Sequence, residues 1–209
     1  MKHGSEIAVL RGQAARLGVA LDENQIDRLL RYERLLGTRA VEMGLIAEGD
    51  AHQIRQRHLL DCLRAAPLTA GAADVVDLGS GAGLPGLVIA VARPDLRVGL
   101  VDSRQRRIAF LELAIEELEL TNATPHAARA ESLTTPVDVC LARAFAPAAR
   151  AWEIGSRLLR PGGRLVYFAG RGRDPEAAIG GLPSDARILD VLDTPVLESA
   201  GPLVIMARQ

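Results

Sequence analysis

Aromatic residues are scarce in this chain, at 3% of 209 positions. A core with so few rings must be packed from aliphatic side chains, and the apolar share of 48% is ample for one. Lysine is almost missing: Lys2 is the only one, so arginine carries the positive charge. No apolar run approaches the roughly 18 residues of a bilayer span, which argues against a membrane helix. Cys62 and Cys140 are the only cysteines. Their spacing fits neither a disulfide framework nor a metal site, and they read as two buried thiols of a cytoplasmic protein. The opening Met1-Lys2-His3-Gly4-Ser5-Glu6 leads into a charged helical pattern rather than the apolar centre of a secretion signal. Overall basic charge is also missing, the net charge being −1, so composition does not announce a nucleic-acid binder. Arginines nevertheless cluster at Arg55/Arg57, Arg104/Arg106/Arg107 and Arg171/Arg173, as solvated faces or as a local surface for phosphates. Internal repeats and low-complexity tracts are absent, and the length suits one domain with a short appendage.

What the chain has in abundance is glycine at one place. Val75-Val76-Asp77-Leu78 is a short apolar run that stops at Gly79-Ser80-Gly81-Ala82-Gly83-Leu84-Pro85-Gly86. Glycines let the backbone turn sharply and let a ligand approach the main chain. Pro85 suits the first turn of a helix, whose free N–H groups would attract an acidic or strongly polar ligand group. Beyond it, Val98-Gly99-Leu100-Val101-Asp102 reads as a second strand ending in a carboxylate, where nucleotide-binding α/β folds hold ribose hydroxyls. These residues predict a bound nucleoside cofactor. Gly81-x-Gly83-x-x-Gly86 satisfies the dinucleotide fingerprint. Asp77-x-Gly79-x-Gly81-x-Gly83 instead resembles the loop of S-adenosylmethionine (SAM) enzymes, which wraps the amino-acid end of that cofactor. The loop alone leaves nicotinamide, flavin and SAM open.

Around this loop the pattern divides in two. Residues 5–18, 22–37 and 51–65 carry helical spacing, with Asp22 and Gln25 as a reciprocal N-cap pair and Pro67 as a stop. From Asp74 onward strands and helices alternate. Strands are expected at 74–78, 97–102, 123–127, 137–142, 164–169, 187–193 and 202–208, and helices at 85–92, 104–119, 144–160 and 174–181. Strands separated by helices argue for a parallel sheet covered on both faces, and the final two strands for a hairpin with one antiparallel member. The division gives an N-terminal helical extension over 1–66 and a nucleoside-binding domain over 67–209.

Several blocks together resemble the GidB or RsmG family of small-subunit rRNA methyltransferases, from about residue 20 to the end. They are Arg57-His58-Leu59-Leu60-Asp61-Cys62, the Gly79-to-Gly86 loop with its Leu-Pro-Gly ending, and Asp102-Ser103 followed by Arg106-Arg107 and Phe110-Leu111. Arg129-Ala130-Glu131 and Ala142-Arg143-Ala144-Phe145-Ala146 complete the set. The resemblance implies an α/β fold: a seven-stranded, mostly parallel, Rossmann-like SAM-dependent methyltransferase domain. It implies methylation of guanine N7 in 16S rRNA of the small ribosomal subunit, with no role for DNA, membrane or metal. The residues carried over for the cofactor are Gly79, Gly81, Gly83, Leu84 and Ser103, with Asp102 at the ribose and Ala130 and Glu131 near the adenine. Arg143 is carried over for the methionine end and the target base, as the catalytic residue. His58 and Asp61, three apart on one helix face, are a structural pair or a substrate contact.

Guanine N7 offers a lone pair without a proton, so the implied reaction needs orientation rather than a general base. The target guanine must be unpaired or extruded to be reached. The substrate side departs from the family pattern. Gly44-Leu45-Ile46 stands where the family has Asn-Leu-Thr, and Ala169-Gly170 where it has Lys-Gly. The lost polar groups are expected to border the target pocket. That leaves a related methyltransferase with another RNA or small-molecule substrate, or a noncatalytic SAM-binding module, as alternatives.

Overall fold

Val75, Val76 and Leu78 have no polar face to turn to water, and the strand they form lies buried at the middle of the sheet. The computed structural model describes residues 2–170, 181–197 and 200–209. Its seven strands are β1 (Asp74–Leu78), β2 (Arg97–Asp102), β3 (Ala123–Ala127), β4 (Val137–Arg143), β5 (Leu159–Phe168), β6 (Ala186–Leu192) and β7 (Leu203–Arg208). They pair in the order β3-β2-β1-β4-β5-β7-β6. The first five run parallel, with Val75 opposite both Val98 and Val139. β7 enters antiparallel between β5 and β6, so the terminal hairpin expected from the sequence is present. The chain leaves β1 toward β2 on one side and returns to β4 on the other. Open α/β sheets bind ligands at such a reversal, beyond the carboxyl ends of the strands.

Two apolar layers cover the sheet. On one face lie α4 (Gly86–Ala92), buried at every residue, and α5 (Gln105–Glu117). The N-terminal α1 (Lys2–Arg16) and α2 (Glu23–Leu35) join the same core, in which Leu10, Leu29 and Leu63 cluster with Val88 and Leu141. On the other face α6 (Ala148–Gly155) packs Trp152 against the cluster of Leu78, Cys140 and Leu165. The capping box expected at Asp22 and Gln25 is formed. Gln25 also donates from Nε2 to the carbonyls of Val91 and Ala92 at 3.0 and 3.1 Å, so one side chain serves the start of α2 and the end of α4. Both cysteines are buried thiols. Among the described residues, no helix is long and apolar enough to cross a membrane.

Three expectations need correction. The helix expected over 51–65 is a 3-10 turn at Glu48–Gln53, a π turn at Arg55–Leu60 and one α turn, α3 (Asp61–Leu63). The widened turn has a partner for its backbone: the carbonyl of Arg57 accepts from the Arg143 side chain at 2.9 Å. The helix expected over 144–160 begins only at Ala148, because Ala144 adopts a φ of +51° and Pro147 caps the start. Its far end is taken over by β5, which begins at Leu159, five residues before the expected strand. The helix expected over 174–181, with Arg171 and Arg173, lies essentially outside the described residues.

Candidate functional site

The glycine loop is built for close packing as much as for a ligand. Gly79 has a φ of +70°, and a Cβ there would sit 2.6 Å from the Phe145 ring. Gly83 has a φ of +87°, and its Cβ would come within 2.3 Å of Leu87 and 3.0 Å of the Tyr32 hydroxyl. Neither position accepts a side chain. That Tyr32 hydroxyl, fully buried, donates to the Ala82 carbonyl at 2.5 Å and so ties α2 to the loop. Leu84 turns into the apolar core. The free helix N-terminus expected at Pro85 is not free. The Gly86 amide donates to Asp77 Oδ2 at 2.9 Å and the Leu87 amide to the Gly83 carbonyl at 2.8 Å. A buried carboxyl has first claim on a nearby donor.

Burial pushes the Asp77 carboxyl up from 3.8 to about 7, against the pull of its Gly86 hydrogen bond. Its Oδ1 is buried without a partner. The folded protein therefore holds the Asp77 proton more tightly than the unfolded chain does. This contribution to stability is complete below about pH 4 and is lost as pH rises through 7. Asp77→Asn keeps an acceptor for Gly86 and removes the charge. Relative to wild type, its melting temperature should rise between pH 4 and 8 by thermal denaturation. A difference that stays flat with pH would show that Asp77 ionises like an exposed carboxylate.

Asp102 ends β2 with its side chain buried. Oδ2 accepts from the Gly81 amide at 3.1 Å and from Arg107 Nη1 at 2.9 Å, and Oδ1 from the Arg104 amide at 3.0 Å. Three donors leave about one of the four lone-pair positions of the carboxylate open. Asp102 lines a cavity of about 280 Å³ together with Gly79, Ser103, Ala130, Glu131 and Phe145. Ala130 forms its buried wall, whereas Glu131 is exposed and paired with Arg150 Nη2 at 3.0 Å.

Arg143 opens onto a second cavity, of about 530 Å³, with His58, Asp61, Phe145, Tyr167 and Ala169. Its Nε donates to Asp61 Oδ2 at 3.0 Å, and Nη2 lies 3.1 Å from His58 Nδ1. Burial, with the Arg143 charge beside it, pushes His58 down from 6.5 to about 4. Phe145 lines both cavities and lies over Gly79, so the two spaces meet at one ring. Among the described residues no cluster of His, Cys, Asp and Glu could hold a metal ion.

Gly79, Asp102, Ser103, Ala130 and Glu131 thus share one cavity, and Arg143 faces its neighbour. Gly81 joins the site through its amide, while Gly83 and Leu84 serve packing. Of the substrate-side departures, only Ala169 borders the second cavity. Ile46 is in the core, and Gly44 sits in a turn with a φ of +63°. Glycine and asparagine are the two residues that enter this left-handed region most easily, so glycine in place of asparagine keeps the turn. Phe145 and Tyr32 were not singled out by the sequence. Phe145 lies inside the block Ala142-to-Ala146, and Tyr32 inside the helical stretch 22–37.

Residues 25–194 match the family model described as rRNA small subunit methyltransferase G. A curated relative named "Ribosomal RNA small subunit methyltransferase G" from Acidothermus cellulolyticus is 41% identical over 68% of this chain and 64% of its own length, so the matched stretch spans just under two thirds of that relative. Relatives of the same name from Ralstonia nicotianae and Neisseria meningitidis are 39% and 36% identical, over 95% and 96% of this chain and 93% and 97% of their own. Among solved structures, mitomycin 7-O-methyltransferase superposes with a TM-score of 0.57 at 18% identity, over 78% of this chain and 59% of that one. A coclaurine N-methyltransferase bound to N-methylheliamine and SAH gives 0.51 at 17% identity, over 64% and 47%. At these identities the structural likeness speaks for the fold.

Proposed function

We propose, from the premise that this chain belongs to the rRNA small subunit methyltransferase G family, that it transfers a methyl group from SAM to N7 of a guanine in 16S rRNA of the small ribosomal subunit. One observation carries the reading beyond the family name. The cavity holding Asp102 and the cavity holding Arg143 meet at Phe145, which brings a donor space and an acceptor space into contact.

The residues fit a nucleoside cofactor. Gly79 and Phe145 line the cavity of Asp102, and Asp102 keeps an accepting position at the end of β2 for a ribose hydroxyl. Gly79, Gly81, Asp102, Ser103, Ala130 and Glu131 would hold SAM, which supplies an electrophilic methyl on a sulfonium. The protein's part is orientation. Guanine N7 needs no base to deprotonate it, and no residue of the site is placed as one; His58 is held by Arg143 through Nδ1. Arg143 is the donor suited to guanine O6, fixing which ring atom faces the methyl. The second cavity, about 530 Å³ and open to solvent, has room for a base taken out of its stack.

Arg104, which lines the cavity of Asp102, and Arg106 are exposed at the start of α5, and neither side chain has an ion-pair partner among the described residues. They provide a landing place for phosphates despite the net charge of −1. Methyl transfer to small subunits from cells lacking this activity, read by mass spectrometry of nucleosides, should give 7-methylguanosine. Binding should weaken steeply with salt, and Arg104→Ala/Arg106→Ala should reduce the log–log slope by about 1 per lost phosphate contact. No methylated nucleoside, or a mark on another base, would refute the reading. Salt-independent binding would point instead to a small-molecule acceptor.

A further inference from the structure

Arg143 is held by a polar network whose centre is Asp61. The two carboxylate oxygens of Asp61 are divided between two arginines. Oδ2 accepts from Arg143 Nε at 3.0 Å, and Oδ1 pairs with Arg64 at 3.0 Å to Nε and 2.8 Å to Nη2. Arg64 is itself buried and anchored across the fold. Its Nη1 donates to Thr194 Oγ1 at 3.1 Å, its Nη2 to the Gly201 carbonyl at 2.7 Å, and its guanidinium lies 5.7 Å from the Phe168 ring centroid. The carboxylate therefore has a fixed place relative to the ends of β5 and β7.

The far side of the Arg143 guanidinium is held as firmly. Nη2 donates to the Arg57 carbonyl and to His58 Nδ1. A guanidinium has no lone pair to offer, so Nδ1 must be the acceptor and the neutral His58 ring carries its proton on Nε2. A planar group tied at Nε and Nη2 cannot turn in its own plane. Only Nη1 has no acceptor among the described residues, and Arg143 lines the larger cavity.

We propose that Asp61 is a positioning residue for methyl transfer, holding Arg143 so that its Nη1 edge is presented to the acceptor guanine in a fixed direction. The proposal rests on the methyltransferase reading above. It assigns to the helical extension, which contributes Asp61 to the wall of the second cavity, a part in the chemistry beyond lining that space. Misplacement of an orienting group by about 1 Å can cost up to about a hundredfold in rate, so loss of the Asp61 charge should be visible in turnover.

The test uses the full chain and small subunits lacking the methyl group, with calorimetry for SAM. Asp61→Asn should lower kcat roughly ten- to a hundredfold, while KM for subunits and the dissociation constant of SAM stay within about threefold. In an Arg143→Ala background the same substitution should cost less than about twofold more, because it acts through Arg143. A kcat within twofold of wild type would overturn the proposal. So would an equal loss in both backgrounds, which marks a merely structural role, or a loss of SAM affinity matching the loss in kcat/KM. Should Asp61→Asn fail to fold, Arg64→Lys takes its place. It leaves the Asp61 charge but weakens the second anchor, and its smaller drop in kcat must also vanish in the Arg143→Ala background. A wild-type protein that binds SAM yet methylates no subunit would overturn the functional reading itself, and this role with it.

Discussion

Replacing Asp102 by alanine should weaken binding of SAM by roughly a hundredfold or more. Two losses combine. A hydrogen bond from a ribose hydroxyl to a buried carboxylate is worth about 1.5–3 kcal/mol. The same carboxylate also gathers the Gly81 amide, the Arg104 amide and Arg107, so the glycine loop and the start of α5 lose their common anchor. Arg107 would then stand beside the empty position with its charge unpaired. Calorimetry of wild type and Asp102→Ala decides the matter, with a ligand-free melt to separate loop damage from lost contact. Affinity within about threefold of wild type would remove Asp102 from the cofactor site.

Gly86→Ala should lower the melting temperature by about 10 °C. Helix propensity alone points the other way, since alanine is favoured over glycine by about 1 kcal/mol in a helix. Packing decides. A Cβ on Gly86 would lie 2.2 Å from Leu100 Cδ2, 2.8 Å from Asp77 Oδ2 and 2.9 Å from Asp77 Cβ, and both neighbours are fully buried. Overpacking of this kind costs about 1–3 kcal/mol. If α4 retreats to make room, the Asp77 carboxyl loses its Gly86 donor, for about 1–3 kcal/mol more. A melting temperature equal to or above wild type would show that α4 is not pressed against β1 and β2.

Local pattern carried much of this structure. β1 and β2 fall where apolar runs between turn residues place them, and β3 falls at the expected 123–127 although its Ala-Thr-Pro-His-Ala stretch is largely exposed. The terminal hairpin was legible from Pro195 and Gly201-Pro202, which leave no room for a crossover helix. The glycine loop and Asp102 were legible because their backbone requirements are written in residue type. What the sequence concealed depends on partners distant in the chain. The carbonyl that Tyr32 bonds is 50 residues away, and the carboxylate that Arg143 bonds is 82 residues away. No periodicity reports such a pair. The π turn at Arg55–Leu60 was likewise hidden, because the same residues suit an ordinary helix until a side chain from β4 claims one of their carbonyls. Gly44 read as a lost polar contact because a sequence does not display φ.

The Tyr32 hydroxyl on the Ala82 carbonyl makes the helical extension and the glycine loop partners in a linkage. Free-energy coupling between two sites is reciprocal. If a ligand that grips α2 from outside changes the cofactor's affinity by some factor, the cofactor changes that ligand's affinity by the same factor. Amide hydrogens along α2 and along the loop would then slow their exchange together when either side is occupied. In that sense the first helices report on the state of a cavity they do not line.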